Sequence, residues 1–163
     1  MKKRVVYVNG NFVDEDKAKV SVFDRGFLFA DAVYEVTAVI DGKILEWDGH
    51  VKRLERSLKE LDMKFPISET ELLDIHFDLI KKNTLKEGLI YLQVTRGEDD
   101  RSFDYPDESV KPTLVLFTQV KSLAESNIAK TGLKVISVPD MRWGRRDIKT
   151  VQLLAPSMCK MMA

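Results

Sequence analysis

The sequence is poor in the residues that most often announce a function. It has one cysteine, two histidines, five prolines and eight glycines in 163 residues. A single thiol closes no internal disulfide, so the expected setting is a reducing one, the cytoplasm. His50 and His76 fall on different expected helices, with no cysteine or paired carboxylate at ligand spacing, which argues against a dedicated metal site and places both at the surface or the core edge. Charge of one sign is also missing. The 26 basic and 26 acidic side chains cancel, so the chain lacks the footprint of a general nucleic-acid or anionic-membrane binder. No apolar run is long enough to span a bilayer, and the run after Met1-Lys2-Lys3-Arg4 is too short for a secretion signal. There is no Gly-x-Ser-x-Gly elbow, no P-loop and no Gly-x-Gly-x-x-Gly.

What remains is ordinary globular protein. Hydrophobic residues make up 44% and charged residues 32%, and the length suits one large domain or two small ones. The chain opens as a hairpin, with Val5 to Val8 and Asn11 to Val13 flanking Asn9-Gly10. Residues 21–32 are aromatic and glycine-broken, an ordered loop. Val33 to Ile40 alternates as a strand, with Tyr34, Val36, Ala38 and Ile40 on one face and Val33, Glu35, Thr37 and Val39 on the other. Asp41-Gly42 turns the chain, and Lys43 to Trp47 returns. A helix capped by Asp48 carries Val51, Leu54, Leu58 and Leu61. Ser68-Glu69-Thr70-Glu71 is a capping box for a second helix. Strands at Leu89 to Thr95 and Pro112 to Val120 complete residues 1–120 as an α+β domain, an α/β sandwich.

Residues 121–132 are polar and small and read as an interdomain linker. Leu133 to Val138 begins a new strand, and Asp147 or Thr150 caps a helix through Leu153, Leu154, Met158 and Met161. A domain beginning at residue 133 would have about thirty residues, below the roughly 40 that a lone domain needs. The last helix also carries an uncovered methionine stripe. The expectation is that another chain covers it, or that this chain is the front part of something longer.

Lys149 is the position that suggests chemistry. It follows Arg142, Arg145, Arg146 and Asp147 and precedes an apolar helix. Partial desolvation beside other cations favours the neutral amine that forms an imine. A plain basic surface loop fits the same residues, and so does a small nucleic-acid patch around Trp143. Tyr34 carries a hydroxyl that needs a partner if buried. Arg53 could clamp a phosphate or be solvated on its helix. Arg101, between Asp100 and Ser102, reads as a surface ion pair. Cys159 reads as an inert thiol in an apolar helix.

Five segments in order carry a resemblance. They are Tyr7-Val8-Asn9-Gly10, the run from Asp24-Arg25-Gly26 to Val33-Tyr34-Glu35, His50-Val51-Lys52-Arg53-Leu54, Tyr91 to Gly97, and Asp147-Ile148-Lys149-Thr150. Together they resemble the fold-type IV, pyridoxal-phosphate-dependent aminotransferases, closest to those acting on D-amino acids. The resemblance implies an N-terminal α+β domain over residues 1–120 and the beginning of a cofactor-binding domain over 133–163. It implies pyridoxal 5'-phosphate as cofactor, an amino acid and a 2-oxo acid as substrates, and a homodimer. By this likeness Lys149 holds the cofactor as a Schiff base and shuttles the Cα proton, Arg53 binds its phosphate, and Tyr34 helps hold the substrate carboxylate. Arg101 reaches that carboxylate across the dimer interface.

Departures are visible as well. Phe103 stands where the family commonly has His, and Ala30 and Ala32 replace glycines. Family members are considerably longer, and the groups that meet the pyridine nitrogen lie in the part absent here, so the chain is expected to be a fragment. The implied reaction is transamination between a D-amino acid and a 2-oxo acid, for example D-alanine with 2-oxoglutarate. The alternatives are a branched-chain L-amino acid aminotransferase or aminodeoxychorismate lyase of the same fold, or an incomplete piece that only dimerises or binds a ligand.

Overall fold

The computed structural model describes residues 3–125 and 127–163. One antiparallel sheet of six strands, ordered β2-β1-β6-β5-β3-β4, organises residues 5–120. Strands β1 (Val5–Val8) and β2 (Asn11–Asp14) form the expected hairpin, with φ of 45° at Asn9 and 90° at Gly10. Strand β3 (Ala32–Ile40) pairs along its length with β5 (Gly88–Thr95), which pairs in turn with β6 (Thr113–Val120).

The return strand β4 is only Lys43–Ile44, shorter than expected. Glu46 turns left-handed at φ 52°, and helix α2 (Trp47–Glu60) starts at once. Asp48 therefore lies inside the first turn and does not cap it. Helix α3 (Glu69–Asn83) is capped as expected, Ser68 Oγ accepting from the Glu71 N–H at 3.2 Å. The two helices cover one face of the sheet. Leu54, Leu58, Leu72, Ile75 and Leu79 pack there against Val33, Val39, Ile90, Leu92, Val94 and Leu116. The covered face of β3 is thus Val33, Glu35, Thr37 and Val39. The face that looks more apolar in the sequence, with Tyr34 and Val36, is the half-buried one.

His50 is half-buried at the core edge, as expected, but His76 is neither at the surface nor at the edge. His76 is 1% exposed, its Nδ1–H donates to the Leu72 carbonyl at 2.8 Å, and its ring meets Trp47 edge-on at 4.9 Å. Burial pushes its pKa down to about 4. The stretch expected as a loop contains helix α1 (Arg25–Phe29). Asp24 caps it, accepting from Gly26 N at 2.8 Å, and Ala30 closes it at φ 54°, a left-handed position that usually favours glycine. Gly26 is required by close approach, since a Cβ there would lie 2.5 Å from Thr95 Cγ2.

After residue 120 the sequence pattern and the structure diverge. Helix α4 (Asn127–Thr131) occupies part of the expected linker, of which Ser126 lies outside the described residues. The strand expected at Leu133 to Val138 does not form, and Val135 is 82% exposed. A strand needs a partner edge for its backbone groups, and none reaches it among the described residues. Helix α5 (Leu154–Met162) begins later than expected, at a Leu153 N-cap that makes no side-chain bond, so neither Asp147 nor Thr150 caps it. Its stripe of Leu154, Met158 and Met161 is exposed. No helix of the described residues is long and apolar enough to cross a membrane.

Candidate active site

Strand β4 pairs only with Val39 and Ile40, which leaves the first residues of β3 without a neighbour on that side. The chain at 148–151 fills the gap. Tyr34 N–H donates to the Lys149 carbonyl at 3.0 Å, Val151 N–H donates to the Ala32 carbonyl at 3.3 Å, and Val33 bridges Thr150. Ile148 is buried in the main core, the Lys149 N–H donates to Ser57 Oγ at 3.4 Å, and Arg56 donates to the Asp147 carbonyl. Lys149 is thus held at its backbone from both β3 and α2, while its side chain stays half-buried.

Its Nζ lies 4.0 Å from the centroid of the Tyr34 ring, and no carboxylate pairs with it among the described residues. Tyr34 begins a row of stacked rings across three strands, Tyr34 to Tyr91 at 5.7 Å and Tyr91 to Phe117 at 4.9 Å. Burial, with Tyr34 beside it, pushes the Tyr91 phenol up to about 12, and its OH donates to Gln93 Oε1 at 2.8 Å. A cleft of about 180 Å³ opens over Tyr34 and Lys149, walled by Arg142, Trp143 and Arg146.

The cations expected to surround Lys149 are compensated. Arg142 and Arg146 both pair with Asp140, at 2.8 and 3.1 Å, and Arg145 pairs with Asp147 and Glu60, at 2.8 and 2.5 Å. Three guanidiniums meet three carboxylates, so the loop is not a free cationic patch.

Arg53 stands one helical turn before Ser57. Its Nε and Nη2 donate to the two oxygens of Glu35 at 2.6 and 2.7 Å, and His50 Nδ1–H donates to the same carboxylate at 2.7 Å. Burial pushes the Glu35 carboxyl up, but the Arg53 and His50 hydrogen bonds outweigh it and hold it below the usual carboxylate range. Arg53 Nη1 makes no hydrogen bond among the described residues. The sequence names Glu35 and His50 within the motifs that carry the resemblance but assigns neither a role at the site. The next helix offers His50 and Arg53 three residues apart, but only the structure puts Glu35 on the covered face, where a carboxylate must have a partner.

Arg101 is not part of this cluster. It packs over Phe29 and Phe103, at 5.4 and 5.6 Å, instead of making the expected ion pair. No hydrogen bond, ion pair or ring contact joins it to Lys149, Tyr34 or Arg53 among the described residues. Cys159 is half-buried and free.

An antiparallel sheet backed by two helices, with the 148–151 segment bridged to β3, is the arrangement to compare with known proteins. The family model for amino-transferase class IV matches residues 32–162, and the chain belongs to that family. It is similar to the D-alanine aminotransferase of Staphylococcus haemolyticus, 36% identical over 155 residues, which are 95% of this chain and 55% of that protein. It is 34% identical to the D-alanine aminotransferase of Bacillus licheniformis over 158 residues, 97% of this chain and 55% of that one. The chain therefore spans about half the length of these curated relatives.

Among solved structures, the branched-chain amino acid aminotransferase of Escherichia coli superposes with a TM-score of 0.68 at 21% identity, over 78% of this chain and 43% of that one. The 4-amino-4-deoxychorismate lyase of Pseudomonas aeruginosa superposes at 0.59 and 28% identity, over 76% and 42%. A branched-chain amino acid aminotransferase complexed with N-(5'-phosphopyridoxyl)-L-glutamate does so at 0.66 and 22% identity, over 74% and 42%.

Proposed function

We propose that the protein is a pyridoxal-phosphate-dependent transaminase acting between a D-amino acid and a 2-oxo acid, with Lys149 as the lysine that carries the cofactor. The carrying observation is the backbone-pinned Lys149, whose amine rests over Tyr34 beside a cleft and has no carboxylate partner among the described residues. The donor set fits such a cofactor: a primary amine, an aromatic wall in Tyr34, and a guanidinium nitrogen of Arg53 facing no other partner among the described residues. When bound, the cofactor supplies the electron sink for the carbanion at Cα.

The chain's own residues do the rest. Lys149 Nζ takes the Cα proton and returns it, and its fixed backbone limits the arc over which it does so. Glu35 and His50 aim Arg53, leaving Nη1 toward a phosphate. Tyr34 forms the wall against which substrate lies. Arg101 packs on Phe29 and Phe103 and makes no contact with its own Lys149 among the described residues; in the family resemblance it meets the carboxylate held by a partner in a homodimer. The preference for D-amino acids is supported by relatives named for D-alanine. Phe103 in place of a histidine removes one donor to the carboxylate, which favours comparing D- and L-substrates directly.

The test adds pyridoxal phosphate, reduces with borohydride and locates the adduct by peptide mass. A single adduct on Lys149, lost in Lys149→Ala, is expected. Adducts scattered over surface lysines would favour a piece that only dimerises or binds. In the whole protein, turnover of D-alanine with 2-oxoglutarate should exceed that of L-valine or L-leucine. The reverse order would favour the branched-chain reading.

A further inference from the structure

The segment between β5 and β6 carries Arg101, yet it hangs on residues far from it in sequence. Arg25 is 3% exposed, and its Nη1 donates to two loop carbonyls, Ser102 at 2.9 Å and Asp104 at 3.1 Å, one on each side of Phe103. Arg25 Nε donates to Asp31 at 2.9 Å, and the same Asp31 oxygen accepts from Arg96 Nε at 2.7 Å. Arg96 lies 3.7 Å from the ring centroid of Tyr105, three residues beyond Ser102. Phe29 receives the Arg25 guanidinium at 4.6 Å and the Arg101 guanidinium at 5.4 Å.

We propose that Arg25 is a positioning residue for Arg101: its buried guanidinium clamps the loop backbone and, through Phe29, sets where the Arg101 side chain is presented. A planar fork is needed, because one donor group must reach two carbonyls while another holds Asp31. Lysine keeps the charge beside Asp31 but offers no such fork. Tyr105 supports the clamp from behind by covering Arg96. The loop thus has a fixed form although its side chains are exposed, Phe103 by 82%. The link to substrate rests on the reading of Arg101 given above. The clamp itself does not.

Two measurements test this. The first is tryptic cleavage after Arg101 in the wild-type chain, in Arg25→Lys and in Tyr105→Ala, with cleavage after the exposed Lys134 as internal control. Arg25→Lys should raise the rate after Arg101 by about tenfold and Tyr105→Ala by about threefold, with no change after Lys134. If Arg25→Lys fails to fold, Tyr105→Ala decides alone. Unchanged cleavage overturns the clamp. The second is steady-state kinetics of the whole enzyme, where Arg25→Lys should raise KM for the amino acid about tenfold and leave kcat within about twofold. Faster cleavage with an unchanged KM overturns the link to substrate. A wild-type enzyme with neither turnover nor an adduct on Lys149 defeats the transaminase reading instead, and the cleavage result still decides the clamp.

Discussion

Residues 3–125 and residues 127–163 obey the same chemistry with opposite outcomes. In the first region, apolar residues at strand and helix spacing find each other, and nearly all the core comes from it. In the second, Ile148 is the one described hydrophobic residue that reaches that core. Leu133, Val135, Leu154 and Met161 carry the same hydrophobic character as Leu58 or Leu92 and remain in solvent. Periodicity states which residues would share a face. Burial occurs only where a second surface exists to meet it, so the pattern becomes structure in one region and stays a pattern in the other.

The largest contrast should appear on truncating side chains. Leu58→Ala, fully inside, should cost about 3 kcal/mol in denaturant unfolding, whereas Val135→Ala should stay within about 0.5 kcal/mol. A comparable cost at both sites would show that the second region is packed in solution.

Acid should weaken the core of the first region through a buried histidine. Neutral His76 has a folded pKa of about 4 against an ordinary 6.5, so between these values the unfolded chain binds more protons. Stability then falls as pH drops from about 6.5 to about 4, by up to roughly 3 kcal/mol. Glu35 adds to the loss lower down. Its carboxyl is held below its ordinary value, so its contribution is complete above that value and vanishes as pH falls through the lowered one. Trp47 packs against His76, so its fluorescence in a Trp143→Phe background reports the transition. A denaturation midpoint that does not move between pH 7 and pH 4 would contradict the buried neutral histidine.

The smallest effect concerns the joint between the two regions. Ile148→Ala should cost about 2 kcal/mol and free the 148–151 segment from β3 while the six-stranded sheet persists. Hydrogen exchange reads this at the Tyr34 amide, which donates to the Lys149 carbonyl. Retained protection at Tyr34 would mean that the backbone bonds alone hold Lys149.

The hairpin at Asn9-Gly10, the alternating strands, both long helices and the Ser68 cap were legible because each rests on neighbours a few residues away. The order of motifs around Tyr34, Arg53 and Lys149 was equally legible, and with it the family. Local chemistry could not say which face of β3 is covered, that Glu35 would be answered by His50 and Arg53, or that His76 would lie dry beside Trp47. Nor could it say that Arg101 would sit on aromatic rings beside a buried Arg25 clamp, or that Leu133 to Val138 would find no edge to join. Those outcomes depend on which surfaces meet. A side chain's environment is set by partners tens of residues distant, and only the assembled sheet and helices bring them within reach of one another.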